Sequence, residues 1–202
     1  MILHVLLIGA LVGVVVGSLG AGGGIVSVPI LVYVLGQDPH QATGLSLIIV
    51  GLTAAVSLAT RARSGNVAWR EGTIFALAGL AGTWAGATLT GFLTGFFGVG
   101  GGFAIVPALH LALRYPMKRA SATSLLVMVI TAAFGLASRT LSGTLTITAE
   151  AGAMVALFTA ASMGGGIVGA RFTKRVSNRV LGLVFAALLV CVAASTLVAT
   201  LV

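Results

Sequence analysis

The sequence predicts an all-α, polytopic helical membrane protein built from two repeated halves, each with a glycine-interrupted helix. Three observations lead there. The 202 residues are 58% hydrophobic and only 7% charged, with a mean hydropathy of +1.18. The few charges are gathered into short clusters between long uncharged runs. Finally, a glycine- and proline-marked block recurs 78 positions later in the chain.

A soluble domain of this length could not cover its surface with so few charged side chains. Hydrocarbon offers the backbone no hydrogen-bonding partner, so apolar runs of about 20 residues are expected as helices. The short alternating segments of a bacterial β-barrel are absent from the sequence. A net charge of +8 would suit nucleic acid, but basic clusters between apolar runs are the positive-inside pattern of a membrane protein. No nucleic-acid partner is therefore expected, and the lipid bilayer is. Cys191 stands alone, so no disulfide is available. Met1 opens directly into apolar sequence, which reads as a first span rather than a cleaved leader.

Taken in order, the uncharged runs are Met1–Gln37, Ala42–Thr60, Gly72–Leu113, Ala120–Ser138, Ala151–Ala170 and Val180–Val202. The run from Gly72 would measure about 60 Å as one straight helix, twice the hydrocarbon thickness, so it must hold two elements. Seven spans result. Pro39 suits the turn after the first run because it lacks an N–H.

The repeat pairs Gly20–Leu31 with Gly98–Leu109 and continues in phase through Ser46 with Ser124, Arg61 with Arg139, and Ser64-Gly65 with Ser142-Gly143. After Gly65 the register slips by five residues, and Gly82 and Gly86 match Gly165 and Gly169. The halves are drawn as residues 1–90 and 91–202. The first lacks a counterpart for the basic loop and last span of the second: either the protein is naturally short, or a segment is absent with a seam near Thr88, and the seam is the preferred reading. Loops 114–119 and 171–179 share one face by parity and are assigned to the cytoplasm. Loop 61–70 joins them with seven spans and leaves them if a further span is restored, so the first half's orientation stays open.

Each half carries G-x-G-G-G with a proline, Pro29 or Pro107, five residues after the last glycine. Matched helix breaks in two halves are the best sequence pointer to a transporter's binding site. Glycine lets a ligand approach the main chain, and a helix resuming at Ile25 or Phe103 would aim free N–H groups at an anion. Gly20, Gly22, Gly23, Gly24, Gly98, Gly100, Gly101 and Gly102 are therefore candidate substrate-binding residues. Glycines at four-residue spacing, Gly13/Gly17, Gly82/Gly86 and Gly165/Gly169, are better read as packing surfaces.

The two blocks, with Thr94–Leu109 and the segments Ala42–Leu47 and Ala120–Leu125, resemble the paired signatures of the TauE/SafE sulfite-exporter family. The resemblance covers essentially the whole chain. It implies a carrier of sulfite, sulfonates or related organic anions in a bacterial or archaeal cytoplasmic membrane, and eight spans as four plus four.

The polar residues agree with an anion as substrate. Asp38, Glu71 and Glu150 all fall near span ends, whereas cation-coupled carriers place a carboxylate within a span. Hydroxyls at Ser46, Ser124, Thr43, Ser121 and Thr123 could donate to an oxyanion, although span hydroxyls also bond their own helix carbonyls. Arg61 and Arg139 suit planar oxyanions but at span ends also snorkel toward headgroups. His110 is a candidate proton relay, or a structural histidine, since its first-half equivalent is Val32. No metal site, cofactor or enzymatic constellation is expected. The expected function is alternating-access transport of a small oxyanion between the two broken helices. A non-transporting scaffold or sensor and an ion channel stand as alternatives, and the oligomeric state is open, a homo-oligomer included.

Overall fold

A computed structural model describes residues 2–20, 23–34, 36, 38–62, 64–85, 102–143 and 149–201. They form helices α1 (Ile2–Leu19), α2 (Gly24–Pro29), α3 (Pro39–Ala62), α4 (Trp69–Ala85), α5 (Gly102–Ala112), α6 (Met117–Leu141), α7 (Ala149–Arg175) and α8 (Asn178–Leu201). A π-helical turn, Ile30–Val34, continues α2. It begins directly after Pro29, which has no N–H to give to an α-helical bond and whose ring crowds the preceding turn.

Seven spans are not what these residues make. Among the described residues three helices are long and apolar enough to cross a membrane, Gln41–Ala62, Met117–Leu141 and Gly152–Arg175. The expectation equated uncharged runs with spans, and the runs are divided. The first contains α1, α2 and the π turn. The run from Gly72 divides into α4, which ends at Ala85, and the 11-residue α5, with residues 86–101 and Thr88 outside the described set. Two shorter apolar stretches, Val5–Leu19 and Asn178–Cys191, lie within the 18-residue α1 and the 24-residue α8.

Two helix pairs organise the bundle. Helices α1 and α7 run parallel, with Gly9, Gly13 and Gly17 against Phe158, Ser162 and Gly166. A Cβ on Gly13 would lie 2.0 Å from the Ser162 carbonyl oxygen, and one on Gly165 2.1 Å from that of Ala10. The backbones touch, as small residues at four-residue spacing allow. Leu3, Leu7 and Leu11 face outward from α1, where lipid is their natural contact. The packing role expected for Gly13, Gly17, Gly165 and Gly169 is thus what the structure shows, while Gly86 lies outside the described residues.

Helices α3 and α6 run antiparallel. Leu47 packs at the Cβ position of Gly135, Ala132 at that of Gly51, and Ser121 meets Arg61. These are equivalent helices of the sequence repeat, and they end alike. Ser64 and Ser142 donate from Oγ to the carbonyls of Arg61 and Arg139 at 2.6 and 3.2 Å. Gly65 and Gly143 follow at φ +68° and +65°, the left-handed geometry that glycine supplies after a helix. Val12, Val16, Leu45, Ile49, Leu125 and Phe158 form the main buried cluster between these pairs. A second cluster, including Val106, Leu109, Val127 and Phe185, joins α5, α6 and α8.

One end of the bundle collects the charge. The Ala68 N–H donates to Thr123 at the start of α6, and Lys118 donates to the carbonyl of Lys174 and, from its backbone N–H, to the side chain of Asn178. Loops 64–68, 113–116 and 176–177 therefore share this end with the C-termini of α1 and α3. Arg139 lies at the far end of α6.

Two outcomes test this packing. Gly13→Leu or Gly165→Leu should destabilise the protein by about 1–3 kcal/mol or more, because a backbone must move. Gly164→Ala, whose Cβ meets no described atom within 4 Å, should be neutral or stabilising by about 0.5–1 kcal/mol. Thermal unfolding of the purified variants measures both. Gly20→Ala combines left-handed strain (φ +62°) with a Cβ 2.3 Å from the Ser121 carbonyl oxygen. Its unfolding midpoint should fall correspondingly, by roughly 1–3 kcal/mol or more in stability.

Candidate functional site

Helix α1 ends because Gly20 turns left-handed, its N–H still bonded to the Val16 carbonyl at 2.9 Å. The chain resumes as α2 at Gly24, and the Ser27 N–H is already taken by the Gly23 carbonyl at 2.7 Å. The first interruption is therefore real, and Gly20, Gly23 and Gly24 are buried in it. Gly22 lies outside the described residues, as do Gly98, Gly100 and Gly101 of the second motif. Gly102 opens α5. Pro29 is exposed at the end of α2, and Pro107 is half-buried within α5.

The break is pinned by α6. Ser124 Oγ lies 2.9 Å from the carbonyl oxygens of both Gly20 and Ser121 and donates toward them. Directly beside it lies Arg61, 3% exposed. Its Nη1 donates to Ser121 Oγ at 2.9 Å, and its Nη2 to Thr173 Oγ1 at 2.7 Å, to the Ser18 carbonyl at 3.0 Å and to the Gly17 carbonyl. The guanidinium thus joins α1, α3, α6 and α7. Two of its acceptors are carbonyls of the last turn of α1, where the helix dipole is negative. Every acceptor is a neutral oxygen. Arg61 does not snorkel outward, as an arginine at a span end commonly does.

Arg139, its repeat equivalent, is half-buried and donates from Nη2 to Thr43 Oγ1 at 3.0 Å. Thr43 stands in the repeat where Ser121 stands, 18 residues before its arginine. The bonds are therefore crossed: the arginine of each half reaches the hydroxyl of the other, at opposite ends of the antiparallel pair. In a parallel arrangement each arginine would stand about 27 Å from the other half's hydroxyl, and neither bond could form.

The remaining hydroxyls divide. Ser46 donates to the Thr43 carbonyl at 2.8 Å, within its own helix. Thr123 accepts the Ala68 N–H at 3.1 Å and so fixes the loop before α4. His110 is exposed, and its Nδ1 lies 2.6 Å from the Tyr115 carbonyl oxygen. A carbonyl can only accept, so Nδ1 carries the proton and closes the turn after α5. Arg119 lies over the Tyr115 ring, 4.5 Å from its centroid, a cation–π contact.

Sequence reasoning missed a polar stripe. Thr53, Ser57 and Arg61 recur at four-residue spacing and so share one face of α3. That face meets Ser162, Gly166 and Thr173 of α7, with Thr53 donating to Ser162 Oγ at 3.1 Å. Spacing alone could have signalled it. Ser27, Ser57 and Arg61 each keep one buried polar atom with no hydrogen-bond partner among the described residues: Oγ, Oγ and Nε respectively. Among those residues no group of three His, Cys, Asp or Glu could hold a metal ion.

Comparison with known proteins gives the family. The profile of the sulfite exporter TauE/SafE family matches residues 5–90 and again residues 86–196. Two strains of Xylella fastidiosa, Temecula1 and 9a5c, each have a probable membrane transporter protein 34% identical over 174 residues, covering 59% of this chain and 67% of the relative. A probable membrane transporter protein of Methanocaldococcus jannaschii is 25% identical over 188 residues, covering 66% of this chain and 70% of its own. No solved structure matches significantly. With the profile covering nearly the whole chain and the interruption at Gly20 in place, this protein belongs to the TauE/SafE family of membrane transporters.

Proposed function

We propose that the protein is a secondary carrier of a small oxyanion, sulfite or an organosulfonate, working by alternating access in a bacterial or archaeal cytoplasmic membrane. The observation that carries this reading is the crossed pair of bonds, Arg61 to Ser121 and Arg139 to Thr43. Two equivalent clasps at opposite ends of an antiparallel pair are what a carrier needs to close one side while the other opens. Arg61 acts here as a clasp rather than a substrate ligand, because its terminal nitrogens are spent on protein oxygens.

The oxyanion would sit at the first interruption, where glycines admit it to the main chain. Ser27 Oγ, fully buried and without a partner among the described residues, would donate to it. The remaining glycines of the two motifs, Gly98–Gly102 included, are proposed as the rest of the pocket. Positive charge at the core and carboxylates confined to span ends favour an anion over a cation. By the positive-inside rule, the end bearing Arg114, Lys118, Lys174 and Arg175 faces the cytoplasm.

Sulfite uptake into proteoliposomes tests the assignment, with sulfate, sulfonates and carboxylates as competitors. Arg61→Ala and Arg139→Ala should each lower uptake about tenfold or more, the loss of a charged hydrogen-bonding partner being worth about 1.5–3 kcal/mol. Unchanged rates in both, with normal insertion, would remove the clasp; no flux of any anion would remove the carrier. Ser27→Ala should raise the apparent KM several-fold with the maximal rate nearly kept, since one donor to the bound anion contributes about 1 kcal/mol.

A further inference from the structure

The turn between α7 and α8 gathers exposed positive charge. Lys174 and Arg175 close α7, and Arg179 stands in the first turn of α8. Lys118 of α6 is drawn to the same place by its bonds to the Lys174 carbonyl and the Asn178 side chain, at 3.2 and 3.3 Å. The sequence has three acidic residues. Asp38 precedes α3 and Glu150 lies in the first turn of α7, both at the far end, so only Glu71 of α4 shares the end with these cations. The positive-inside rule accounts for the sign of this end but not for where on each helix the charges fall.

Position matters because the helix dipole favours one placement and opposes the other. Arg175 lies in the last turn of α7, where the dipole is negative and a cation is welcome. Arg179 lies at the positive end of α8, whose first turn has no acidic residue. An anion held over the turn answers both the dipole and the arginine. Four residues of chain separate Arg175 from Arg179, so their backbones stand at most about 14 Å apart. Two guanidinium forks at that separation reach one phosphate group.

Below each arginine runs an exposed apolar stripe. Val168, Phe172 and Arg175 share one face of α7, and Arg179, Leu183, Ala186 and Val190 share one face of α8. The opposite face of α8 carries Leu181 and Phe185, buried in the cluster with α5 and α6. Helix α7 packs on α1 and α3, and α8 on α6, which leaves both stripes to the membrane. A free phosphate would engage the guanidiniums alone. A phospholipid engages them and lays its acyl chains along the stripes that descend from them. A choline or ethanolamine headgroup brings its own cation toward Lys174 and Arg175, whereas an anionic headgroup does not.

We propose that Arg175 and Arg179 clamp the phosphate of an anionic phospholipid, with its acyl chains against Phe172 of α7 and Leu183 of α8. The seat ties together two helices that pack on different neighbours. It lies on the outer face of the bundle, away from the glycine interruption, and does not rest on what the protein carries.

The protein purified in neutral detergent is heated with phosphatidylglycerol, with phosphatidylcholine of the same acyl chains, or with inorganic phosphate, and the unfolding midpoint is followed. Phosphatidylglycerol should raise the midpoint saturably, by about 5–10 °C at roughly 100 times its Kd, and the other two should give less than half that rise. Arg175→Gln with Arg179→Gln should lose most of the rise. Arg70→Gln with Arg114→Gln, an equal loss of charge elsewhere at the basic end, should keep it. Native mass spectrometry should find one phosphatidylglycerol retained by the wild type and by the Arg70/Arg114 control. Each single variant, Arg175→Gln or Arg179→Gln, should shed it, a readout that holds even where the double variant does not fold. Equal rises with the two lipids, a full rise with phosphate alone, equal losses in the two double variants, or retention of the lipid by both single variants would each overturn the proposal.

Discussion

The Arg61 guanidinium sits where four helices meet, and their relative placement at the basic end depends on it. It ties the last carbonyls of α1 to hydroxyls at the start of α6 and near the end of α7. A charge in such a place must be answered by many oriented dipoles, because hydrocarbon surroundings offer no water to share the work. The α1 terminus supplies that answer only because Gly20 ends the helix there. A helix running on past Gly20 would satisfy its own carbonyls and leave Arg61 without them. The glycine interruption and the buried arginine are thus one feature.

The same reasoning explains why α1 and α7 lie in backbone contact. In lipid, burial of apolar surface gives little drive for one helix to choose another, so close packing and polar bonds decide. Gly13, Gly17, Gly165 and Gly169 let main chain meet main chain, which brings Thr173 within reach of Arg61. Bulkier residues would hold the helices apart and lengthen that bond beyond use. Packing and polar network support each other.

Antiparallel placement of the equivalent helices α3 and α6 turns one repeated sequence into two opposed ends. Residues that are alike in the sequence, Arg61 and Arg139, come to face different surroundings: one is buried among helix termini, the other half-buried. That asymmetry of environment at symmetric positions is what the proposed alternating-access mechanism would exchange between its two states.

Composition and charge clustering by themselves determined that the chain is helical and membrane-embedded, because no other fold hides so many apolar groups with so few charges. The repeat fixed which residues are equivalent, and the glycine spacing fixed where helices touch. Span number was not legible. Uncharged length counts residues, whereas a crossing depends on where the helix stops, and Gly20 and the π turn after Pro29 stop it early. The fate of each hydroxyl was equally hidden: Ser46 and Ser124 occupy equivalent positions and each meets the carbonyl three residues back in its own helix, yet Ser124 also meets the Gly20 carbonyl. Only tertiary structure decided that, since a side chain's partner is set by which helix end arrives beside it, and helix direction leaves no mark on local sequence.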